Sequence, residues 1–138
     1  MERVREALRV LSVKYPRPDL KLEISEPFDT NMQWGSASWP NNGLPGLYIF
    51  ADENDRVVYI GKGSVTISAR LNGYWRKGPN DETLSKSDIS KGVRYVYTIG
   101  IPIERAFEAS SIEEFLISRV NPVRNTNCKR PMAESSVD

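Results

Sequence analysis

The chain has 138 residues, 39% of them hydrophobic and 27% charged, with a formal net charge of +1. This is the make-up of one ordinary globular domain, long enough for a core and without an apolar run that could cross a membrane. Histidine is absent and Cys128 is the single cysteine, which excludes Ser-His-Asp and Cys-His triads, zinc held by histidine or four thiolates, and an internal disulfide. A hydrolase built from this alphabet must work with carboxylates, phenols, lysine and arginine, groups that suit a hard, oxygen-ligated cation. The charged start, Met1 to Glu6, is not the opening of a signal peptide, and a lone thiol fits a reducing cytoplasm.

Val4, Ala7, Leu8 and Leu11 recur at helical spacing, predicting a helix over 2–14 that Pro16 and Pro18 stop. Residues 16–45 hold five prolines, with Trp34 and Trp39 flanking Gly35-Ser36-Ala37-Ser38. They read as an irregular arm whose tryptophans pack on the domain or stack on a base. The runs GLYIFA (46–51) and VVYIG (57–61), joined by a polar stretch, predict a β-hairpin. A turn centred near Glu53–Asn54 sets Tyr48 opposite Tyr59, and one centred a residue later makes them diagonal neighbours. Both registers leave the two phenols on one sheet face; that pair taken alone equally suits a half-buried sheet cover.

A helix is predicted from about Thr66 to Trp75, ended by Gly78, followed by a long polar loop at 78–92. Val93, Tyr95, Tyr97 and Ile99 alternate as a third strand, and a second long helix runs from about Glu104 to Val120, stopping before Asn121-Pro122. The organisation is a helix and arm at 1–45, a compact α+β unit at 46–127 and a flexible tail at 128–138.

Several residues suit phosphodiester chemistry. Arg70 and Tyr74 are four apart and would share one helical face. Lys62 lies just before that helix, where an anion is favoured, although Gly61 and Gly63 alone mark no more than a strand-to-helix turn. In the last helix, with Ile112 as origin, Glu113 falls at roughly 100°, inside the apolar arc, and Glu114 at roughly 200°, outside it. A carboxylate aimed at a buried face needs a cation, either a metal or a structural arginine. Eight Lys/Arg against three acids lie between Arg56 and Arg94, and four against none between Arg119 and Arg130. Arg76, Lys77, Lys91, Arg94 and Arg124 are the candidate phosphate contacts in these stretches.

The ordered set resembles the GIY-YIG nucleases, seen in the excision-repair incision subunit, some homing endonucleases and some restriction enzymes. Gly46-Leu47-Tyr48 is similar to the first motif, with leucine for the usual isoleucine, and Tyr59-Ile60-Gly61 to the second without change. Arg70, eleven residues after Tyr59, and Tyr74 stand where the family has its arginine and, in the repair-type branch, a tyrosine instead of histidine. Glu113 and Asn125 stand where it has its metal glutamate and closing asparagine. The resemblance covers about residues 44–127.

It implies a central three-stranded antiparallel sheet flanked by helices, and one Mg²⁺ (or Mn²⁺) held by Glu113. It implies a tyrosine, Tyr48 before Tyr59, deprotonating the attacking water. Because a free phenol has a pKa of about 10, Lys62 and the metal are expected to depress it. Arg70 would neutralise charge on the phosphoryl group, Asn125 would brace the site, and the products would carry 5′-phosphate and 3′-hydroxyl ends. DNA, double-stranded first, is the implied partner, with a homodimer favoured if both strands are cut. The length suits a compact restriction-type or mobile-element enzyme. A structure-selective repair nuclease, a silent nucleic-acid-binding module on the same scaffold and a protein with no nucleic-acid role are the alternatives.

Overall fold

The computed structural model describes residues 1–32, 34 and 37–128. The first helix, α1, runs Glu2–Lys14 as its periodicity requires and buries Val4, Ala7 and Leu11. Six strands follow or interleave with two more helices: β1 (Phe28–Asp29), β2 (Gly46–Ala51), β3 (Val57–Gly63), α2 (Ile67–Leu71), β4 (Trp75–Lys77), β5 (Thr83–Ser85), β6 (Tyr95–Gly100) and α3 (Glu108–Val120). The main sheet is antiparallel in the order β1-β6-β2-β3. All six residues of β2 are buried, because a central strand covered on both faces has no solvent side to alternate toward.

The hairpin takes the diagonal register. Tyr48 pairs with Gly61 and Phe50 with Tyr59, while Ala51 pairs with Val57, so a bulge lies beside Val58. The extra residue sends Val58 and Tyr59 to the same side of the sheet. The turn is set by Asp52, whose Oδ1 accepts from the backbone N–H of Asn54 and of Arg56, both at 2.9 Å. Asp55 supplies the left-handed residue at φ 62°.

Two cores result, one per sheet face. Leu47, Ile49, Ile60 and Ile99 face α1 and α3, meeting Val4, Leu11, Ile112 and Leu116. The other face carries Tyr48, Phe50 and Val96 against Phe28, Ile67, Leu71, Tyr74 and Trp75. The segment before residue 46 therefore shares both cores. A salt-bridged knot secures it: Arg17 Nε donates to Glu108 Oε1 at 2.7 Å, and Arg105 Nη2 donates to Glu108 Oε2 at 2.6 Å.

Several elements differ from the sequence-based expectation. The arm supplies a fourth strand, β1, and an isolated bridge from Ile24 to Ile99. The expected loop at 78–92 contributes β5, which pairs with β4 in a separate two-stranded sheet. The helix expected over 66–75 is five residues long; Asn72 and Gly73 turn the chain, so Tyr74 lies beyond it. So short a helix makes no useful anion site beside Lys62. The last helix opens with a 3-10 turn at Ile103–Arg105 before α3 begins at Glu108, as tight first turns after proline often do. The tail from residue 129 onward lies outside the described residues. No described helix is long and apolar enough to cross a membrane.

Candidate active site

The site sits on the sheet's edge. Residues β3 Tyr59 and Gly61 face α2, whereas Ile60 and Lys62 face α3, so side chains from both faces of the sheet reach one place only around this outer strand. A pocket of about 490 Å³ lies there, lined by Tyr48, Tyr59, Lys62, Arg70 and Glu113, with Gly61, Ser64, Val65, Thr66 and Ala69 completing the wall. The last four were not singled out by sequence reasoning. Of these Thr66 alone carried a signal, as the N-cap of α2, where its Oγ1 accepts from Ala69 N–H at 3.2 Å.

Gly61 is required by this arrangement. A Cβ there would lie 2.3 Å from Tyr48 Cζ, so any side chain would displace the phenol ring. Gly46 is constrained differently: its φ is +152° and a Cβ would stand 2.0 Å from the Ile99 carbonyl oxygen. These contacts give the two motif glycines a physical reason.

Tyr48 is fully buried and forms the pocket floor. Its hydroxyl lies 3.2 Å from that of Tyr74, and its ring centroid lies 6.3 Å from that of Tyr59. The Tyr48 hydroxyl beside Arg70 holds the guanidinium more firmly protonated than usual. The expected depression of the Tyr48 phenol is not found. Burial, followed by the hydrogen bond and the charge of Tyr74, pushes its pKa up, and Arg70 opposes this without reversing it. Desolvation penalises the phenolate more than one cation at a partly exposed position relieves it.

Glu113 is half-buried and Glu114 exposed, as their helical phases require. Burial raises the Glu113 pKa, while Lys62 and Arg70 pull the other way. Among the described residues its carboxylate makes no hydrogen bond or ion pair, and Lys62 and Arg70 act on it by charge alone. No cluster of three or more Asp, Glu or Cys that could cage a metal occurs among those residues either. A single under-compensated carboxylate fits a cation of the Mg²⁺ type, which keeps most of its water and takes other ligands from substrate phosphate.

Asn125 is buried and stands off the pocket. Its Oδ1 accepts from Ile60 N–H and its Nδ2 donates to Ile60 C=O, each at 2.9 Å. The candidate phosphate contacts divide. Arg94 is paired with Asp29 at 2.8 Å, and Arg124 Nη1 donates to the carbonyls of Ile89 and Lys91 at 2.9 and 2.8 Å. These two arginines hold the fold. Lys77 pairs with Asp81 at 2.9 Å on the surface, and Arg76 and Lys91 are exposed. Sequence counts charges without showing which ones already have partners.

The class so defined is one of small α+β domains that gather a polar cluster at the edge of an antiparallel sheet. A family model described as the UvrC-like GIY-YIG domain matches residues 44–126, and the chain belongs to that family. It is 33% identical over 84 residues to the UvrABC system protein C of Methanothermobacter thermautotrophicus, covering 61% of this chain and 14% of that protein. The same-named proteins of Neisseria gonorrhoeae and Clostridioides difficile are 35% and 28% identical over 82 and 81 residues. Each match covers 59% of this chain, and 12% and 13% of those proteins respectively. The chain thus spans a small part of the curated relatives it matches.

Proposed function

We propose that the protein is a divalent-metal-dependent endonuclease that hydrolyses DNA phosphodiester bonds to 5′-phosphate and 3′-hydroxyl ends. The observation that carries this is the meeting of Tyr48, Tyr59, Lys62, Arg70 and Glu113 around one pocket. Its lining combines a cationic half, Lys62 and Arg70, with one carboxylate, Glu113, that has no hydrogen-bond or ion-pair partner among the described residues.

In this reading Glu113 holds Mg²⁺ or Mn²⁺, which when bound supplies the positive charge that polarises the scissile phosphate and stabilises the leaving 3′ oxygen. Arg70 docks on a non-bridging phosphate oxygen and offsets charge that develops there. Tyr48 is the group assigned to accept a proton from the attacking water, a role its phenol takes only after giving up its own proton. The Arg70 guanidinium is the protein group that favours the phenolate against the burial that opposes it. Tyr59 positions the water and Lys62 adds charge beside the phosphate. One P–O bond forms as the bond to the 3′ oxygen breaks, and that oxygen gains a proton. Asn125 acts through the backbone it holds and touches no reacting atom. Arg76, Lys77 and Lys91 contact phosphates away from the cut.

The biological setting we propose is that of a compact restriction-type or mobile-element enzyme acting on double-stranded DNA in the cytoplasm, as a pair of chains if both strands are cut. The similarity to UvrC proteins and the presence of Tyr74 favour a second reading, a structure-selective nuclease that incises one strand. Supercoiled plasmid separates them. Discrete linear fragments in Mg²⁺ support the first, whereas nicking confined to distorted or branched DNA supports the second. No cleavage in either metal, with DNA binding retained, would reduce the protein to a binding module.

A further inference from the structure

A second cavity of about 300 Å³ lies on the other side of α2, lined by Phe28, Trp34, Trp39, Ser68, Asn72 and Thr83 among others. We infer that it receives one unstacked nucleobase of the strand whose phosphate occupies the catalytic pocket. The inference rests on the nuclease reading for its setting, and on the cavity's own chemistry for its ligand.

The two cavities are built for different ligands. The catalytic pocket presents Lys62, Arg70 and Glu113, which suits a phosphate and its counter-ion. The second has no charged residue in its lining among the described residues. It offers aromatic surface and small hydrogen-bonding groups, the combination that suits a flat, neutral, polar-edged base. Trp39 packs, tilted, between Phe28 at 4.4 Å and Trp75 at 5.4 Å, with Trp34 edge-on to it at 6.5 Å. Trp39 Nε1 donates to Asn72 Oδ1 at 3.1 Å. That bond orients the amide and leaves its N–H₂ group as a donor without an acceptor among the described residues. Trp34 and Trp39 are both only partly buried, whereas Phe28 is buried, so the two indole rings are the aromatic surface accessible to a ligand.

Placement supports the same ligand. Ser68 and Asn72 lie on one side of α2, and Arg70, two residues from each, projects roughly 160–200° away. The short helix α2 therefore stands between the two cavities, lending Ala69 and Arg70 to one and Ser68 to the other. The arm that supplies Phe28, Trp34 and Trp39 precedes the matched family segment. It is fastened to the β4–β5 hairpin by Thr83 Oγ1, which donates to Met32 O at 3.0 Å, and by Trp34 N–H, which donates to Asp81 O. The arm is thus part of a formed cavity wall.

The test compares binding of a single-stranded thymidine 12-mer with a 12-mer of the same backbone lacking bases, by fluorescence anisotropy, with metal-dependent plasmid cleavage measured on the same preparations. Wild type should bind the base-bearing strand at least about tenfold more tightly. Trp34→Ala should remove most of that preference while leaving affinity for the abasic strand unchanged, and Trp34→Phe, which keeps an aromatic ring packed on the second core, should restore it. Equal preference in wild type and Trp34→Ala would overturn the inference, as would a wild type that ignores the bases. The nuclease reading fails separately, by absence of cleavage in wild type, and does not alter the binding comparison.

Discussion

Asn125 holds both backbone polar groups of Ile60 through two 2.9 Å hydrogen bonds, standing in for a neighbouring strand at the outer edge of the sheet. Ile60 lies between Tyr59 and Gly61, so the bond pair positions the second motif from a residue that never enters the pocket. An edge strand leaves such groups open to water or to another chain. Here the 3-10 segment Val123–Cys128 covers them, and the candidate pocket lies along the flanking Tyr59, Gly61 and Lys62.

Replacing that amide should cost both fold and activity. Asn125→Ala leaves a buried N–H and C=O without partners, and a loss of about 2–4 kcal/mol is expected, measured by urea unfolding. Asn125→Asp should be nearly as damaging, because it offers Ile60 C=O an oxygen instead of a donor. A variant of wild-type stability would show that the bond pair contributes nothing.

Gly61→Ala should separate activity from stability. The added methyl meets the Tyr48 phenol, so cleavage should fall at least about 100-fold, as expected when a reacting group is misplaced by about 1 Å. Folding should be less affected, since the obstacle is one ring and not backbone. Gly46→Ala meets the Ile99 carbonyl and a positive φ, and should show the reverse emphasis, a large loss of stability.

The tyrosines should rank. Tyr48→Phe removes the group assigned as proton acceptor, and single-turnover cleavage should fall by about 10²–10⁴-fold. Tyr74→Phe removes only the hydroxyl 3.2 Å from Tyr48, and a loss of about tenfold is expected from one neutral hydrogen bond. Equal losses in the two variants would contradict the assignment.

Acid should loosen the arm. The Arg105 and Arg17 guanidiniums hold the Glu108 carboxyl below its ordinary value of 4.5, and Arg94 holds Asp29 below 3.8. Groups depressed in the folded state contribute stability above their unfolded pKa and lose it as pH falls through the folded one. The contribution should be whole at pH 7 and should fade below about pH 4. Glu108→Gln should lower stability at pH 7 by about 1 kcal/mol, the scale of a partly exposed pair, and should flatten the acid limb of urea unfolding measured against pH.

Much of the site could be read from residue order because it depends on local periodicity. Helical phase alone separated Glu113 from Glu114, and strand alternation placed both phenols on one face. What lay out of reach depended on partners distant in sequence. Phe28–Asp29 is too short to show a period and becomes a strand only because β6 offers an edge. Arg94 and Arg124 look like phosphate contacts until Asp29 and the Ile89 and Lys91 carbonyls are brought beside them. The direction of the Tyr48 shift follows from complete burial of its ring, a tertiary fact that overrides the expectation drawn from Lys62. The early end of α2 has a local cause, since Asn72-Gly73 was a legible stop signal ahead of Gly78.

The most direct measurement of the central claim is cleavage of supercoiled plasmid by wild type and Glu113→Gln, in Mg²⁺ and in EDTA, beside DNA binding and thermal unfolding of both proteins. Wild type should cleave in Mg²⁺ only, and the variant should lose at least about 100-fold with DNA binding unchanged. Its thermal midpoint should stay level or rise, because a half-buried carboxylate has been neutralised. Cleavage by Glu113→Gln at the wild-type rate, or wild-type cleavage undiminished by EDTA, would contradict the claim.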